Sequence, residues 1–259
     1  MNNPSCSEPR MLSRLQIDEE ANSKIGIILP TYCEVQNIEK LITEIQALPL
    51  NATILVIDDN SPDHTADEVR KLQDKNTNLL LLERPQKAGL GSAITDGFRT
   101  YLSMEHPPEY VITMDADYSH NPQDIPRLVT AMNSDCSLAI GSRYCKNGKT
   151  HGWPIQRRII SRVANVIARQ ILDLKLHDCT SGYRCYTISL VRQTIGFLHS
   201  QTYDIQIETV KQAHQQGFQI REVPIIFTNR KQGKSKLSIK EIENYLSYIF
   251  NNVKAGRNS

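Results

Sequence analysis

V-I-T-M-D-A-D-Y-S, residues 111–119, is an apolar run that stops abruptly at two carboxylates. The run reads as a buried strand. Side chains alternate along a strand, so Asp115 and Asp117 leave its carboxyl end on the same side and converge on one point. Two adjacent carboxylates resist joint ionisation. A divalent cation relieves that repulsion, and Mg²⁺ in particular is held by one or two carboxylates plus substrate phosphates. The D-x-D spacing alone is a weak signal that fits a solvated strand end better than a metal site, so its weight comes from its surroundings.

Toward the N-terminus, K-I-G-I-I-L-P (24–30) is a second short buried strand, followed by a helix with Ile38, Leu41, Ile42 and Ile45 at helical spacing. T-I-L-V-I-D-D (53–59) is the next strand. A helix with Val69 and Leu72 turned inward follows, then the strand N-L-L-L-L-E (78–83). From Gly89 a helix puts Leu90, Ala93, Ile94, Gly97, Phe98 and Tyr101 on one face. Past the acidic pair, Pro122 opens another helix and S-L-A-I-G-S-R (137–143) is a further strand. Strands alternating with helices predict an α/β fold, a mostly parallel twisted sheet with helices on both faces. Such sheets bind ligands beyond the carboxyl ends of their strands. Four strand ends are therefore candidate site segments: Pro30 to Glu34, Asp58 to Asp63, Asp115 to Asp117, and Gly141 to Tyr144.

The second half is less regular. Trp153 to Leu174 reads as a long helix entered through P-I-Q-R-R (154–158), and D-C-T-S-G-Y-R (178–184) separates it from later elements. E-V-P-I-I-F (222–227) reads as one strand, with Pro224 indicating a sheet edge. A basic loop, R-K-Q-G-K-S-K (230–236), precedes a final helix with Ile239, Ile242, Leu246, Ile249 and Val253 in one stripe. Core packing is the first reading of that stripe, membrane or partner docking the second.

The 259 residues suffice for one large α/β domain. Residues 1–23 form a polar leader expected to be poorly ordered, 24–237 the catalytic domain, and 238–259 an amphipathic helix and tail. With 30 basic and 28 acidic residues, the chain is not one that coats nucleic acid by bulk charge. Six scattered cysteines without C-x-x-C read as reduced thiols. No apolar stretch reaches the ~20 residues of a membrane-spanning helix, and the leader has no secretory core. A cytoplasmic protein, or one peripheral on a cytoplasmic membrane face, is the expectation.

Taken together, L-P-T-Y-x-E, D-D-N-S-P-D, G-L-G-x-A, M-D-A-D-Y-S-H-N-P, G-S-R-Y, the Arg157-x-x-x-Ser161-x-x-x-Asn165 helix and F-T-N-R-x-x-G-x-S-K-L resemble the GT-A-type inverting nucleotide-sugar glycosyltransferases. Within them the chain is similar to the polyprenyl (dolichyl) phosphate mannose synthases, from about Lys24 to Phe250. The resemblance implies a Rossmann-like GT-A fold and transfer of mannose from GDP-mannose to a polyprenyl or dolichyl phosphate with inversion. It implies Mg²⁺ or Mn²⁺ at Asp115 and Asp117. Ser119 stands where relatives often carry a third, Gln ligand, so its hydroxyl or a water completes the shell. The donor would be held by Pro30, Tyr32, Glu34, Ile57, Asp59, Asp115, Ala116 and Asp117, with Arg230 and Lys236 on a loop closing over the diphosphate. Lys87 to Gly91 would let backbone approach the nucleotide. Arg143, Arg157 and Ser161 would grip the acceptor phosphate.

Asp115, Asp117 and Arg143 would act on the reacting groups, and no general base is nominated. A phosphomonoester, with a second pKa of about 6, is already an anionic nucleophile at neutral pH. His64, His120, His151 and His177 match no role in the family and read as surface or supporting residues. The polyprenyl chain stays in lipid, so the membrane surface is a further partner, and auxiliary membrane subunits fit the same picture. Candidate docking faces are Ile159, Val163, Ile167 and Ile171 on the long helix, or the final helix with Tyr245, Tyr248 and Phe250. Composition and spacing do not distinguish GDP from UDP or mannose from glucose. A UDP-glucose-dependent synthase and a non-catalytic nucleotide-sugar-binding subunit remain open alternatives.

Overall fold

In the computed structural model, which describes residues 24–132 and 135–229, the apolar runs of the first half are strands of one sheet. β1 (Ile25–Thr31), β2 (Ala52–Asp58), β3 (Leu79–Glu83) and β4 (Tyr110–Thr113) lie side by side in the order β3-β2-β1-β4, all parallel. Their near-continuous Ile, Leu and Val content follows from burial on both faces. The register pairs Thr31 with Asp58 and Ile28 with Thr113, so the segments after β1, β2 and β4 all emerge at one edge of the sheet.

Helices cover both faces, as the alternating pattern predicts. On one side α1 (Val35–Gln46), α2 (Thr65–Gln73) and α4 (Ile125–Thr130) bury Ile38, Leu41, Ile42, Ile45, Val69, Ile125 and Leu128. On the other, α3 (Leu90–Leu102) packs with α6 (Ile188–Thr194) and α7 (Ile205–Gln215), and Ala168 of α5 (Ile155–Leu172) joins the same cluster. Tyr101 brings a hydroxyl into that layer: its ring lies on Gly26, and its hydroxyl donates to the Thr53 carbonyl at 2.7 Å. Pro122 opens a short 3-10 turn (Pro122–Asp124), capped by the Asn121 side chain, and α4 follows it.

The second half departs from the expectation in two places. β7 (Arg184–Thr187) is an antiparallel strand between β4 and β5 (Leu138–Ser142), in the interior of the sheet. Four residues headed by an arginine carry no hydrophobic pattern, so this strand was not foreseen. The apolar run 222–227 is two strands rather than one. β8 (Ile220–Pro224) forms the sheet edge beside β5, as Pro224 indicates, whereas β9 (Ile226–Thr228) pairs with β6 (Lys149–His151) in a separate two-stranded sheet. The chain changes partners at Ile225, whose N–H donates to Ser142 while its carbonyl accepts from Lys149. The leader, the basic loop with Arg230 and Lys236, and the final helix lie outside the described residues.

Candidate active site

At the carboxyl edge of the sheet two adjoining cavities share Leu90, Asp115 and Tyr203 in their walls. The smaller, about 140 Å³, is built from the ends of β1, β2 and β4 and the start of α3. Asp58 ties the first two strand ends together, accepting from the Thr31 hydroxyl at 2.9 Å and from the Ser61 amide at 2.8 Å. Asp59, the next residue, turns into the cavity wall, where Arg84 contacts it and the Gly89 amide donates to it at 3.1 Å. Pro30, Tyr32, Glu34, Ala116 and Asp117 line the same cavity, and the Lys87 ammonium sits 3.9 Å from the centre of the Tyr32 ring. Ile57 does not reach it. Its side chain is fully buried in the core, against the position of Gly97.

The acidic pair lies in the turn after β4. Tyr118 adopts a left-handed backbone (φ 60°), a conformation unfavourable for an aromatic residue and found where structure over-determines it. That turn brings the Ser119 amide back onto Asp117 Oδ1 at 3.0 Å and so fixes the carboxylate. Ser119 Oγ is buried and has no hydrogen-bond partner among the described residues. Asp115 and Asp117 in the cavity wall, with a buried, unpartnered hydroxyl two residues on, are oxygen donors of the kind a hard divalent cation takes jointly with substrate phosphates. Among the described residues no cluster of three or more His, Cys, Asp or Glu makes a self-sufficient metal cage.

Of the two readings offered for the histidines, His120 takes the supporting one, since it is fully buried behind Asp115, whereas His64, His151 and His177 are exposed. Its Nδ1 accepts the Asp115 amide proton at 3.0 Å, which leaves the proton of the neutral ring on Nε2. Burial lowers the imidazole pKa despite the nearby Asp115 and Asp117, so the ring is neutral at pH 7. It stacks on Tyr183 at 4.8 Å and faces the larger cavity.

That larger cavity, about 390 Å³, holds Arg143, Arg157 and Ser161 in its wall together with Asp115. Arg143 is buried in a fork with Asp178, Nε and Nη2 each donating at 2.7 Å, and Nη2 also donates to Thr180 Oγ1 at 2.6 Å. Burial alone would raise the Asp178 pKa, but the guanidinium charge and its hydrogen bonds outweigh burial and hold it below the ordinary carboxylate range. Burial likewise opposes the charge on Arg143, and Asp178 more than restores it. Asn165 of α5 fastens the helix to this loop, accepting from the Cys179 amide at 2.6 Å and donating to Thr180 at 3.0 Å. Trp153, just ahead of α5, carries both cations: Arg157 lies 4.1 Å and Arg143 5.4 Å from its ring centre. Two guanidiniums gathered on one ring in the wall of an open cavity offer N–H donors suited to an anionic group there.

Sequence reasoning passed over Asp178, Trp153, Tyr203 and Gln206 as site residues, and placed Lys87 in a stretch approaching the nucleotide through its backbone without a role for its side chain. Of the four, Trp153 alone carried a usable signal, as the single tryptophan just ahead of the Arg157 helix.

The chain matches the model of Glycosyl transferase family 2 over residues 26–194. It is 37% identical over 216 residues to a polyprenol monophosphomannose synthase of Mycolicibacterium smegmatis, covering 82% of this chain and 80% of that one. It is 35% identical over 216 residues to an undecaprenyl-phosphate mannosyltransferase of Micrococcus luteus, covering 83% and 88%. Among solved structures, glucosyl-3-phosphoglycerate synthase from Mycobacterium tuberculosis, in complex with Mn²⁺, UDP and glucosyl-3-phosphoglycerate, superposes with a TM-score of 0.62 at 18% identity over 91% of this chain and 80% of that one. A mannosyltransferase from Pyrobaculum calidifontis, in complex with GDP-Man and Mn²⁺, gives 0.55 at 14% identity over 90% and 73%. These two share the GT-A-like fold. The family match and the two mannosyl-transferring relatives agree with the strand-end motifs: the chain belongs to glycosyl transferase family 2.

Proposed function

We propose that the protein transfers mannose from GDP-mannose to a polyprenyl phosphate with inversion, giving a polyprenyl phosphate mannose. One observation carries the reading: Asp115 stands in the shared wall of two cavities, one lined by carboxylates with Tyr32 and Lys87, the other by two arginines and a serine. The names of the two relatives, both mannose-transferring enzymes acting on polyprenol acceptors, support the same assignment.

Asp115 and Asp117, with the Ser119 hydroxyl or a water, would hold Mg²⁺ or Mn²⁺; when bound, such a cation neutralises charge on the leaving diphosphate. The chain's own residues do the rest. Arg143, fixed by Asp178, and Arg157, resting on Trp153, hold the acceptor phosphate by charge-assisted hydrogen bonds and orient one of its oxygens toward the donor. That oxygen is anionic near neutral pH, so no side chain has to remove a proton. This fits the neutral, buried His120, whose Nδ1 is already engaged by the Asp115 amide. Arg157→Ala raises the KM for lipid phosphate by about tenfold or more, the loss of a charge-assisted hydrogen bond, and leaves GDP-mannose binding in the absence of lipid unchanged. Equal loss of nucleotide affinity would move Arg157 to the donor side.

Among the described residues no helix is long and apolar enough to cross a membrane. The outer face of α5 supplies a peripheral contact: Ile155 (68% exposed), Ile159 (56%), Val163 (51%) and Val166 (41%) form one stripe, flanked by exposed Arg158 and Arg162. Ile160, next to that stripe, lines the acceptor cavity, so apolar surface runs from the outer face to the phosphate grip. The expected row included Ile167, which instead packs partly against the core; the Ile171 side chain lies outside the described set. Each four-residue step overshoots a turn by about 40°, so the row starting at Ile159 has slewed about 80° by Ile167. Apolar exposure interleaved with arginine suits the interface of an anionic bilayer. Ile159→Asp with Val163→Asp lowers binding to anionic liposomes several-fold and lowers activity on long-chain acceptors far more than on a short soluble isoprenyl phosphate. Equal effects on both acceptors would remove the docking role.

The deciding experiment is transfer of radiolabel from GDP-mannose or UDP-glucose into solvent-extractable lipid, with and without Mg²⁺ or Mn²⁺. Label enters lipid from GDP-mannose and requires the metal. Transfer from UDP-glucose instead would overturn the donor assignment, and transfer from neither would overturn the enzyme reading.

A further inference from the structure

Gln206 is 2% exposed, lies in the first turn of α7, and faces the larger cavity. Neither its Nε2 nor its Oε1 has a hydrogen-bond partner among the described residues. A buried primary amide with both ends unpaired is costly. The scaffold nevertheless holds it firmly. Arg184, fully buried at the head of β7, donates to the Gln206 carbonyl at 2.7 Å and to the Thr209 hydroxyl at 2.6 Å, while its other nitrogens donate to the Ser181 and Cys179 carbonyls. One guanidinium thus locks the first turn of α7 against the 178–183 loop.

The spot where this holds Gln206 is informative. A Cβ on Gly182 would come 3.3 Å from Gln206 Nε2 and 3.6 Å from Asp115 Oδ1, so the missing side chain leaves room between amide and carboxylate. Asp115 marks the junction of the two cavities, with the acidic pair on one side and Arg143, Arg157 and Ser161 on the other. A group passing from a diphosphate in the smaller cavity to a phosphate in the larger must cross that junction. Two anionic partners and a carboxylate surround it, so a charged reader would be drawn to one of them, whereas a neutral amide is not. An amide presents two N–H donors and a carbonyl acceptor in one plane, the complement of two neighbouring hydroxyls on a sugar ring.

We propose that Gln206, with the space left by Gly182, reads the hydroxyls of the hexose being transferred and sets which epimer is accepted. The inference rests on the transferase reading above and adds the residue that chooses the sugar.

The test compares kcat/KM for GDP-mannose and GDP-glucose in wild type, Gln206→Met and Gly182→Ala, with the Ki of GDP and the melting temperature measured alongside. In Gln206→Met, preference for the correct epimer falls by about tenfold or more, as expected for loss of a buried hydrogen bond to a hydroxyl. The Ki of GDP, which carries no hexose, stays within about twofold. The melting temperature is unchanged or higher, because an unpaired buried amide has been replaced by an apolar side chain of similar shape. Gly182→Ala, which fills the gap without changing the amide, also lowers kcat/KM for GDP-mannose and leaves the GDP Ki alone. Unchanged epimer preference, a parallel loss of GDP affinity, an effect confined to the KM of the lipid phosphate, or a marked drop in melting temperature would each overturn the assignment. If the wild type uses a UDP-hexose, the same comparison between that hexose and its epimer tests Gln206, so failure of the donor reading and failure of the hexose reader are seen separately. A wild type that transfers no hexose overturns both.

Discussion

Asp117→Asn lowers the rate of transfer by about 10²-fold or more at saturating metal while the protein stays folded. Asparagine is the informative replacement. The Asp117 carboxylate accepts the Ser119 amide at 3.0 Å and so supports the left-handed turn at Tyr118. An Asn side-chain carbonyl accepts the same amide proton, so the turn survives and only the negative charge is lost. Alanine would remove both, and a fall in activity could then be blamed on the turn. The measurement is initial rate against Mg²⁺ or Mn²⁺ concentration, with thermal unfolding as the control. Retention of more than about a tenth of wild-type activity, with an unchanged melting temperature, would remove Asp117 from the reacting centre.

The donor half of the crevice was legible because the parallel strands that carry it are buried on both faces. Ile27 to Leu29 and Leu55 to Ile57 have to be apolar, and the first residues able to carry chemistry are those just past each strand end. That logic also explains the one donor residue the structure places elsewhere. Ile57 lies inside β2, and its side chain is buried in the core on the α3 side of the sheet. On the acceptor side the legible parts were Arg143, just past the end of a strand, and Arg157 and Ser161 on a long regular helix. What holds them in place was not legible. Asp178, Thr180 and Gly182 lie in an irregular loop, and Gln206 sits on α7, where three of the seven buried residues are polar, Glu208 and Thr209 among them. The interior strand β7 opens with a buried arginine satisfied by carbonyls and a hydroxyl, a solution that no periodicity in hydrophobicity announces. Where the core is apolar the sequence displays it; where polar groups are buried and paired across the chain, only the coordinates show which pairs with which.

Asp178→Ala is the variant expected to damage both fold and acceptor use. The carboxylate is fully buried, takes two nitrogens of Arg143, and accepts the amides of Thr180 and Ser181 at 3.1 Å each. Removing one member of a buried ion pair strands the other, at a cost of about 3–5 kcal/mol. The pH dependence has a defined sign. A carboxyl whose folded pKa lies below its unfolded value of about 3.9 contributes its full stabilisation above that value and loses it as pH falls through the folded pKa. Asp178→Asn therefore flattens the fall in stability below about pH 4 relative to wild type. The double variant Arg143→Met with Asp178→Asn separates the two roles. It removes both charges together while the asparagine carbonyl still accepts the loop amides, so urea unfolding should show much of the stability lost in Asp178→Ala restored. Transfer to polyprenyl phosphate should not return, because the cation facing the acceptor cavity is gone. Recovery of activity along with stability would mean that Arg143 serves the fold alone, and the acceptor phosphate would then rest on Arg157 and Ser161.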